Sequence, residues 1–514
     1  MDIRNQESEL EQLAEFVRDE CQKRLKAYEA QPRDATEHFE TENEVLSGGY
    51  AYRQLYELVQ NAADAILEAA EPQGRIHVRL FPNRLEAANT GAALDKPGIV
   101  ALLNARSSPK RGNQIGRFGI GFKSLLKLGG RVDMTSRSVG LRFDPKACRD
   151  RIRRHLGLTK DALAPGMRLA EVLDPAAENS PLSKSSRWNW ATTVVSAGIA
   201  DEAAFERLSQ EIADFPAEFL LFLPSAISLE MEVEGAASRL LTKRLEDGLA
   251  VVSDGTNEAR WKVFETSAMI DDQAALADAT HIQARDQVPL SWAVPIGGRE
   301  QAGRFWAFFP TETQSRTSGI LNAPWKLNSD RTNLIRGPWN EAIMEAAAKL
   351  IGSSLAALST PGDRGAVLSA FPRQLERQDE IAAPLVRSLW DRIVNSAVFP
   401  NVNGALRKPD QLLRHFVEEK KVCDTWAGLA SEDARERHVH PDCYASEARV
   451  SRLSALVDQA RRRDIQVLDK PSADKWLDCI GSTNLTRTKE ALALVGGLLE
   501  KNTNTNCTLF PRHI

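Results

Sequence analysis

Residues 55–69, LYELVQNAADAILEA, constrain this chain more than any other stretch. At 100° per residue, with Glu57 at 0°, Asn61 falls at about 40° and Asp64 at about −20°. Leu55, Leu58, Val59, Ala62, Ile66 and Ala69 gather about 140° away. The spacing predicts a helix from about Tyr50 to Ala70. One face is apolar; the other carries a carboxylate, an amide and a second carboxylate in one column. Taken alone, the helix reads first as an ordinary amphipathic one with a solvated polar face. The column also suits chemistry, because a carboxylate one turn from an amide can orient a water beside a metal held by the amide oxygen. That reading requires phosphate-gripping loops downstream.

Residues 115–124 supply a candidate, IGRFGIGFKS. Gly116, Gly119 and Gly121 leave three positions without a Cβ, so backbone can approach an anion closely. Phe122, Leu125, Leu126 and Leu128 suggest that the loop feeds a helix, whose first amides would face phosphate. A tight turn with no ligand is the competing reading. The run is neither a Walker A loop nor a dinucleotide fingerprint, since it lacks a Gly-Lys-Ser/Thr end at the right spacing and a short βαβ unit around it.

Composition excludes several classes. Of 514 residues, 42% are hydrophobic and 26% charged, an ordinary globular balance that argues against global disorder. Lys and Arg number 66 against 70 Asp and Glu, a net charge of −4, so no basic excess points to nucleic acid. The six cysteines are widely spaced with no CxxC, which fits a reducing cytosol and not a disulfide framework. The first residues carry charges throughout, unlike a signal peptide. The longest uncharged runs, Trp188–Ala200 and Phe219–Leu229, fall short of the ~18–20 residues of a membrane span. The expectation is a cytoplasmic protein with no membrane partner.

Periodicity predicts a helix over 5–30, a looser polar stretch over 31–47, strands at 75–81 and 84–88, and further strands over 132–143 and near 192–196. Residues 219–233 read as a buried strand followed by an alternating one. Strands at 250–252, 261–264, 290–295 and 305–309 follow, then helices at 341–358, 385–395, 445–463 and 489–501, with a short extended insert at 398–404. The expected domains are 1–235, 236–345 and a mainly helical 346–514.

Three boxes now stand in order: ELVQNAADA (57–65), LEAANTGAAL (85–94) and IGRFGIGFKS (115–124). Together they resemble the GHKL ATPase superfamily, nearest its chaperone branch and the sacsin-like proteins, over about residues 45–235. NAPWKLNSDRTNL (322–334) resembles the segment of the chaperone middle domain whose loop reaches the ATP γ-phosphate. The resemblance implies an α+β protein: a Bergerat-type α/β sandwich that binds ATP, a second α/β middle domain, and the helical remainder.

It also implies roles. Glu57 would be the general base for the attacking water. Asn61 would coordinate magnesium, and Asp64 would support the ribose or adenine side. Gly91 belongs to the second box. Lys110, Gly116, Phe118, Gly119, Gly121 and Lys123 would surround the phosphates. Thr192 lies where the family keeps a threonine near adenine, with Thr193 equally available. Arg331 would be the transition-state arginine, supplied by the second domain, with Lys326 as competitor. The chain departs from the family at Asn89, which stands for the aspartate that accepts a bond from the adenine amine, and at Ala93, which replaces a glycine. Asn89 can still accept through its carbonyl oxygen but loses charge assistance.

The implied activity is Mg-dependent ATP binding and slow hydrolysis, driving a conformational switch on an unknown protein or nucleic-acid client, with an ATP-dependent homodimer as a further expectation. The alternative is a nucleotide-sensing scaffold without significant turnover, with bacterial defence as one setting. A histidine-kinase role lacks a phospho-accepting histidine on a dimerisation helix. Sacsin-like proteins usually run further, so the chain reads as a truncated piece or a short member. His438, His440, Asp442 and Cys443 offer zinc-type ligands, but the spacing matches no known site and a polar loop is the plainer reading. Trp261, Trp292, Trp306, Trp325 and Trp339 read as core anchors.

Overall fold

The computed structural model describes residues 3–47, 53–70, 73–104, 121–223, 226–279, 287–297 and 302–480, with positions 489, 492–494 and 496. It is a mixed α+β protein. The chain forms two compact units, one of residues 1–262, 280–284 and 327–333, the other of 263–279, 285–326 and 334–514. The borders expected at 235 and 345 lie inside these units for a physical reason. The strand ending at Val233 pairs directly with the next one (Leu229 opposite Leu241). Helix 338–354 packs on helix 383–393, where Arg392 reaches Glu345 at 2.5 Å.

The first unit begins with α1 (Ile3–Ala30). It buries Leu13, Val17, Cys21, Leu25 and Tyr28, a stripe at helical spacing. The polar stretch expected to be loose is instead α2 (Arg33–Ser47). Its propensity is weak, and tertiary bonds hold it: both oxygens of buried Glu42 accept backbone amides, from Gly166 at 2.6 Å and Met167 at 3.2 Å. The boxed helix is α3 (Gln54–Ala69), and it is buried on both faces. Two residues of the polar column are withdrawn from water, Glu57 at 6% exposed and Asp64 at 2%, while Asn61 is half-buried.

The sheet contains β1 (Gly74–Phe81), β2 (Arg84–Asn89), β3 (Gly129–Ser136), β4 (Gly140–Phe143), β5 (Glu171–Leu173), β6 (Thr193–Ile199), β7 (Ile227–Val233), β8 (Arg239–Glu246) and β9 (Leu249–Ser253). The spatial order is β9-β8-β7-β1-β2-β6-β3-β4-β5, mixed because β1 and β7 run parallel while their other neighbours are antiparallel. Ile76, Val78 and Leu80 alternate into the core of β1 and are wholly buried. The other face carries Arg75, His77 and Arg79, matched by Glu230 and Glu232 across the parallel pair. Between strands lie α4 (Lys96–Leu103), capped by Asp95, α5 (Pro145–Leu156) and α6 (Glu202–Ala213), all three absent from the sequence reading. Residues after the glycine box form a short 3₁₀ helix, Gly121–Leu128, and not an α-helix. Phe219–Phe222 likewise belong to a 3₁₀ turn, not the strand expected there.

Strand β10 (Glu258–Met269) carries the chain out of the first unit. The second unit adds α7 (Gln273–Asp278), then β11 (Gln287–Ile296), β12 (Arg304–Ala307), β13 (Phe309–Gln314) and β14 (Ile320–Asn322) in the order β13-β12-β14-β11. The five tryptophans from 261 to 339 are all buried. The rest is mainly helical: α8 (Pro338–Ser354), α9 (Ala366–Ser369), α10 (Ala383–Ile393), α11 (Lys420–Leu429), α12 (Glu432–Arg437), α13 (Glu447–Arg461) and α14 (Ala473–Leu477). No described helix is long and apolar enough to cross a membrane.

Candidate functional site

Helix α3 organises the site. Its N-cap is Arg53, and Glu57, Asn61 and Asp64 follow at i+4, i+8 and i+11 on one side. Two close approaches fix what faces that side. At the far end, the Asn89-Thr90-Gly91 turn lies directly on the helix backbone. Gly91 has φ +108°, and a Cβ there would sit 2.5 Å from the Ala65 carbonyl carbon. Ala92 then donates to the Ala65 carbonyl at 2.8 Å. Only glycine fits, and this locks the second box against the first. At the near end, buried Gln54 donates from Nε2 to the Ser124 carbonyl at 3.2 Å, tying α3 to the turn that follows the glycine box.

Arg331 is the most informative placement. Residues 327–333 belong to the first unit, although their neighbours on either side do not. Asn328 builds the loop: its side-chain oxygen accepts from Thr332 and Asn333, each at 3.0 Å, and its carbonyl accepts from Arg331 at 3.0 Å. Asp330 accepts from the Thr332 hydroxyl at 2.7 Å, and its hydrogen bonds hold its carboxyl below the usual range. The result is Arg331 in a left-handed conformation, φ +59°, costly for a residue other than glycine. Its Nη1 donates to Glu57 Oε1 at 2.8 Å, with the two side chains 15% and 8% exposed. The competitor Lys326 is directed elsewhere, to the carboxylate and carbonyl of Asp278 in the second unit.

Asn89 is 6% exposed and spends its amide on the Thr90 carbonyl at 2.6 Å. The register settles which threonine shares its face: Thr193 lies opposite Asn89 on β6, and opposite Ser136 on β3. Thr193 is buried and bonds Ser136 Oγ at 3.1 Å. Thr192 instead gives its backbone amide to the Asn89 carbonyl at 2.8 Å. Sequence alone left the two open because strand phase was unknown. Lys123 is 1% exposed and donates to the Asn104 carbonyl, where Arg24 also reaches the Asn104 side chain at 3.0 Å. Burial, aided by Arg168 and Arg24 and opposed by Glu42, pulls its ammonium down to about 7. Lys110, Gly116, Phe118 and Gly119 lie outside the described residues.

Two of the zinc-type candidates of the second unit make local bonds. His438 bonds the Ala434 carbonyl at 2.8 Å, while His440 caps its own turn by accepting from Asp442 at 3.1 Å. Among the described residues, no three His, Cys, Asp or Glu could hold a metal together. What sequence reasoning missed is Arg53, one turn before Glu57, although its i, i+4 spacing to that carboxylate is legible. Chemically, the described site offers a carboxylate and an arginine in contact, an amide flanked by carboxylates, and an acceptor turn at the end of β2. No protein-family model matches the chain, and no curated protein matches it.

Proposed function

We propose that the first unit is a GHKL-type, Bergerat-fold module that binds ATP with magnesium, hydrolyses it slowly and uses the cycle to switch conformation on a macromolecular client. One observation carries this reading. Glu57 and Arg331, which the motifs assign to one reaction, stand 274 positions apart in sequence and 2.8 Å apart in space. In the proposed reaction Glu57 accepts the proton of a water as its oxygen adds to the γ-phosphorus and the bond to ADP breaks. Arg331 leaves Glu57 to meet the charge that grows on the transferred group.

The residue types suit magnesium: Asn61 stands one turn from Glu57 and from Asp64 along α3, and amide and carboxylate oxygens are hard ligands. Asn61 would hold the ion, which would neutralise phosphate charge. The second box fits adenine: with its amide spent on Thr90, Asn89 presents an acceptor oxygen to an exocyclic amine, as an aspartate would. Thr193 and Ser136 share that buried face.

Calorimetry with ATP and ADP, with and without magnesium, paired with phosphate release, tests the proposal. Glu57→Ala should bind ATP within a few-fold of wild type and lose ~10²–10⁴ in turnover. Binding with no turnover in wild type would favour the sensing scaffold. Unchanged turnover in Glu57→Ala would remove the carboxylate from the mechanism.

A further inference from the structure

Arg331 is held from both ends by the first turn of one helix. Glu57 takes its guanidinium, and Arg53, one turn earlier, donates from Nη1 to its backbone carbonyl at 3.2 Å. Arg53 is itself braced. Its guanidinium lies over the Tyr56 ring, 5.2 Å from the centroid, and Tyr56 stacks on buried Phe215 at 5.4 Å. Glu211 of α6 is close enough for the Arg53 charge to act on its carboxyl, which burial pushes up. A chain of contacts thus runs from Phe215 through Tyr56 and Arg53 to the Arg331 carbonyl, and the Arg331 side chain continues to Glu57.

We propose that Arg53 is a positioning residue that pins the Arg331 backbone, so that the guanidinium turns about a fixed pivot between Glu57 and the reacting phosphate. The inference rests on the ATPase reading above and adds a residue that no motif assigns. Its physical content is entropic. A left-handed arginine on a loop has other conformations open to it, and each one populated removes the guanidinium from reach. A bond to the carbonyl, one atom group away from the rotating side chain, restricts the backbone and leaves the side chain free. The pin then acts on the step that needs orientation and not on nucleotide affinity, because the Arg53 guanidinium is directed to the Arg331 carbonyl and the Tyr56 ring.

The experiment compares wild type, Arg53→Met and Arg53→Lys as full-length chains. Phosphate release gives kcat and KM, calorimetry gives ADP affinity, and hydrogen exchange follows the amides of residues 327–333. Arg53→Met should lower kcat about tenfold to 10²-fold, the loss that misplacement of an ångström produces. KM and ADP affinity should stay within about threefold, the signature of an interaction realised in the transition state. Exchange over 327–333 should quicken. Arg53→Lys keeps a charge that can still donate to a carbonyl and should recover part of kcat, which separates pinning from general damage to the fold. Equal kcat in wild type and Arg53→Met, or a loss that appears only in KM, overturns the positioning role and leaves the ATPase reading intact. A wild type without turnover overturns both, and slow exchange retained in Arg53→Met shows that the loop needs no pin.

Discussion

Breaking the Glu57–Arg331 pair should cost more than the pair is worth, and the difference is measurable. At 2.8 Å the gross attraction is about 6 kcal/mol for an effective dielectric near 20. Most of that is offset, because both side chains are largely withdrawn from water. A charge-assisted bond nets about 1.5–3 kcal/mol. Removing one partner alone leaves a buried, uncompensated charge, at about 3–5 kcal/mol. Glu57→Gln and Arg331→Met should therefore each destabilise the first unit by that larger amount. The double variant should lose only the net worth of the pair, about 1.5–3 kcal/mol, so the coupling is about 4.5–7 kcal/mol, close to the gross attraction. Urea titration read by hydrogen exchange of α3 and β2 peptides reports on this unit alone, whereas whole-chain fluorescence would mix in the many tryptophans of the second. Additive losses, with coupling below about 0.5 kcal/mol, would refute the reasoning and return Arg331 to an ordinary loop role.

Gly91→Ala should abolish the docking of the second box on α3, since its Cβ would meet helix backbone at 2.5 Å and no side chain can give way. The expected cost exceeds about 1–3 kcal/mol and takes nucleotide binding with it; a stable, ATP-binding Gly91→Ala protein contradicts the packing. Lys123 loses its native proton at about 7, while the unfolded chain keeps it to about 10.4. Between those values the unfolded state binds more protons, so stability rises with pH by up to ~1.4 kcal/mol per unit. Lys123→Met should lack this rise, and parallel stability curves for the two proteins would show that the ammonium is not buried. In the second unit, Trp476 donates to His415 Nδ1 at 3.1 Å, leaving Nε2–H for the Val439 carbonyl at 2.9 Å. Burial, with His438 nearby, lowers His415 to about 3, so stability should fall as pH drops from about 6.5 toward 3. Nitrogen shifts at pH 5 should show a neutral ring protonated at Nε2, and a charged imidazole there contradicts the network.

Local pattern was legible in α1, β1 and β2, but not in α5 or α6, each of which also has one buried face. The stripe Leu13–Tyr28 marked α1, and alternation marked β1 and β2 within a residue of their ends. It failed where tertiary bonds decide. RDATEHFETENEVLS carries only four apolar residues among its polar ones, and in α2 Glu42 receives two amides from a loop more than 120 residues away. Apolar runs of strand length, such as Phe219–Phe222, turned out as 3₁₀ because a buried segment carries no alternation to read.

The site was legible to different depths for the same reason. Helical spacing put Glu57, Asn61 and Asp64 on one side of α3, but it could not say whether that side faces solvent. Burial of Asp64 to 2% answers that, beside the Gly91 turn that lies on the backbone of Ala65, a contact between separate elements. Motif likeness suggested that Arg331 works with Glu57, yet carried no information on what would hold a left-handed arginine in place. The group that reaches its carbonyl is Arg53, on the same helix as Glu57. A residue that binds a carbonyl leaves no motif, because any donor of the right reach would serve the backbone atom equally well. Such residues become visible only when the distance between two parts of the chain is known. They are the ones whose replacement separates turnover from binding, since they set how long a catalytic group stays aligned and not whether the substrate is held.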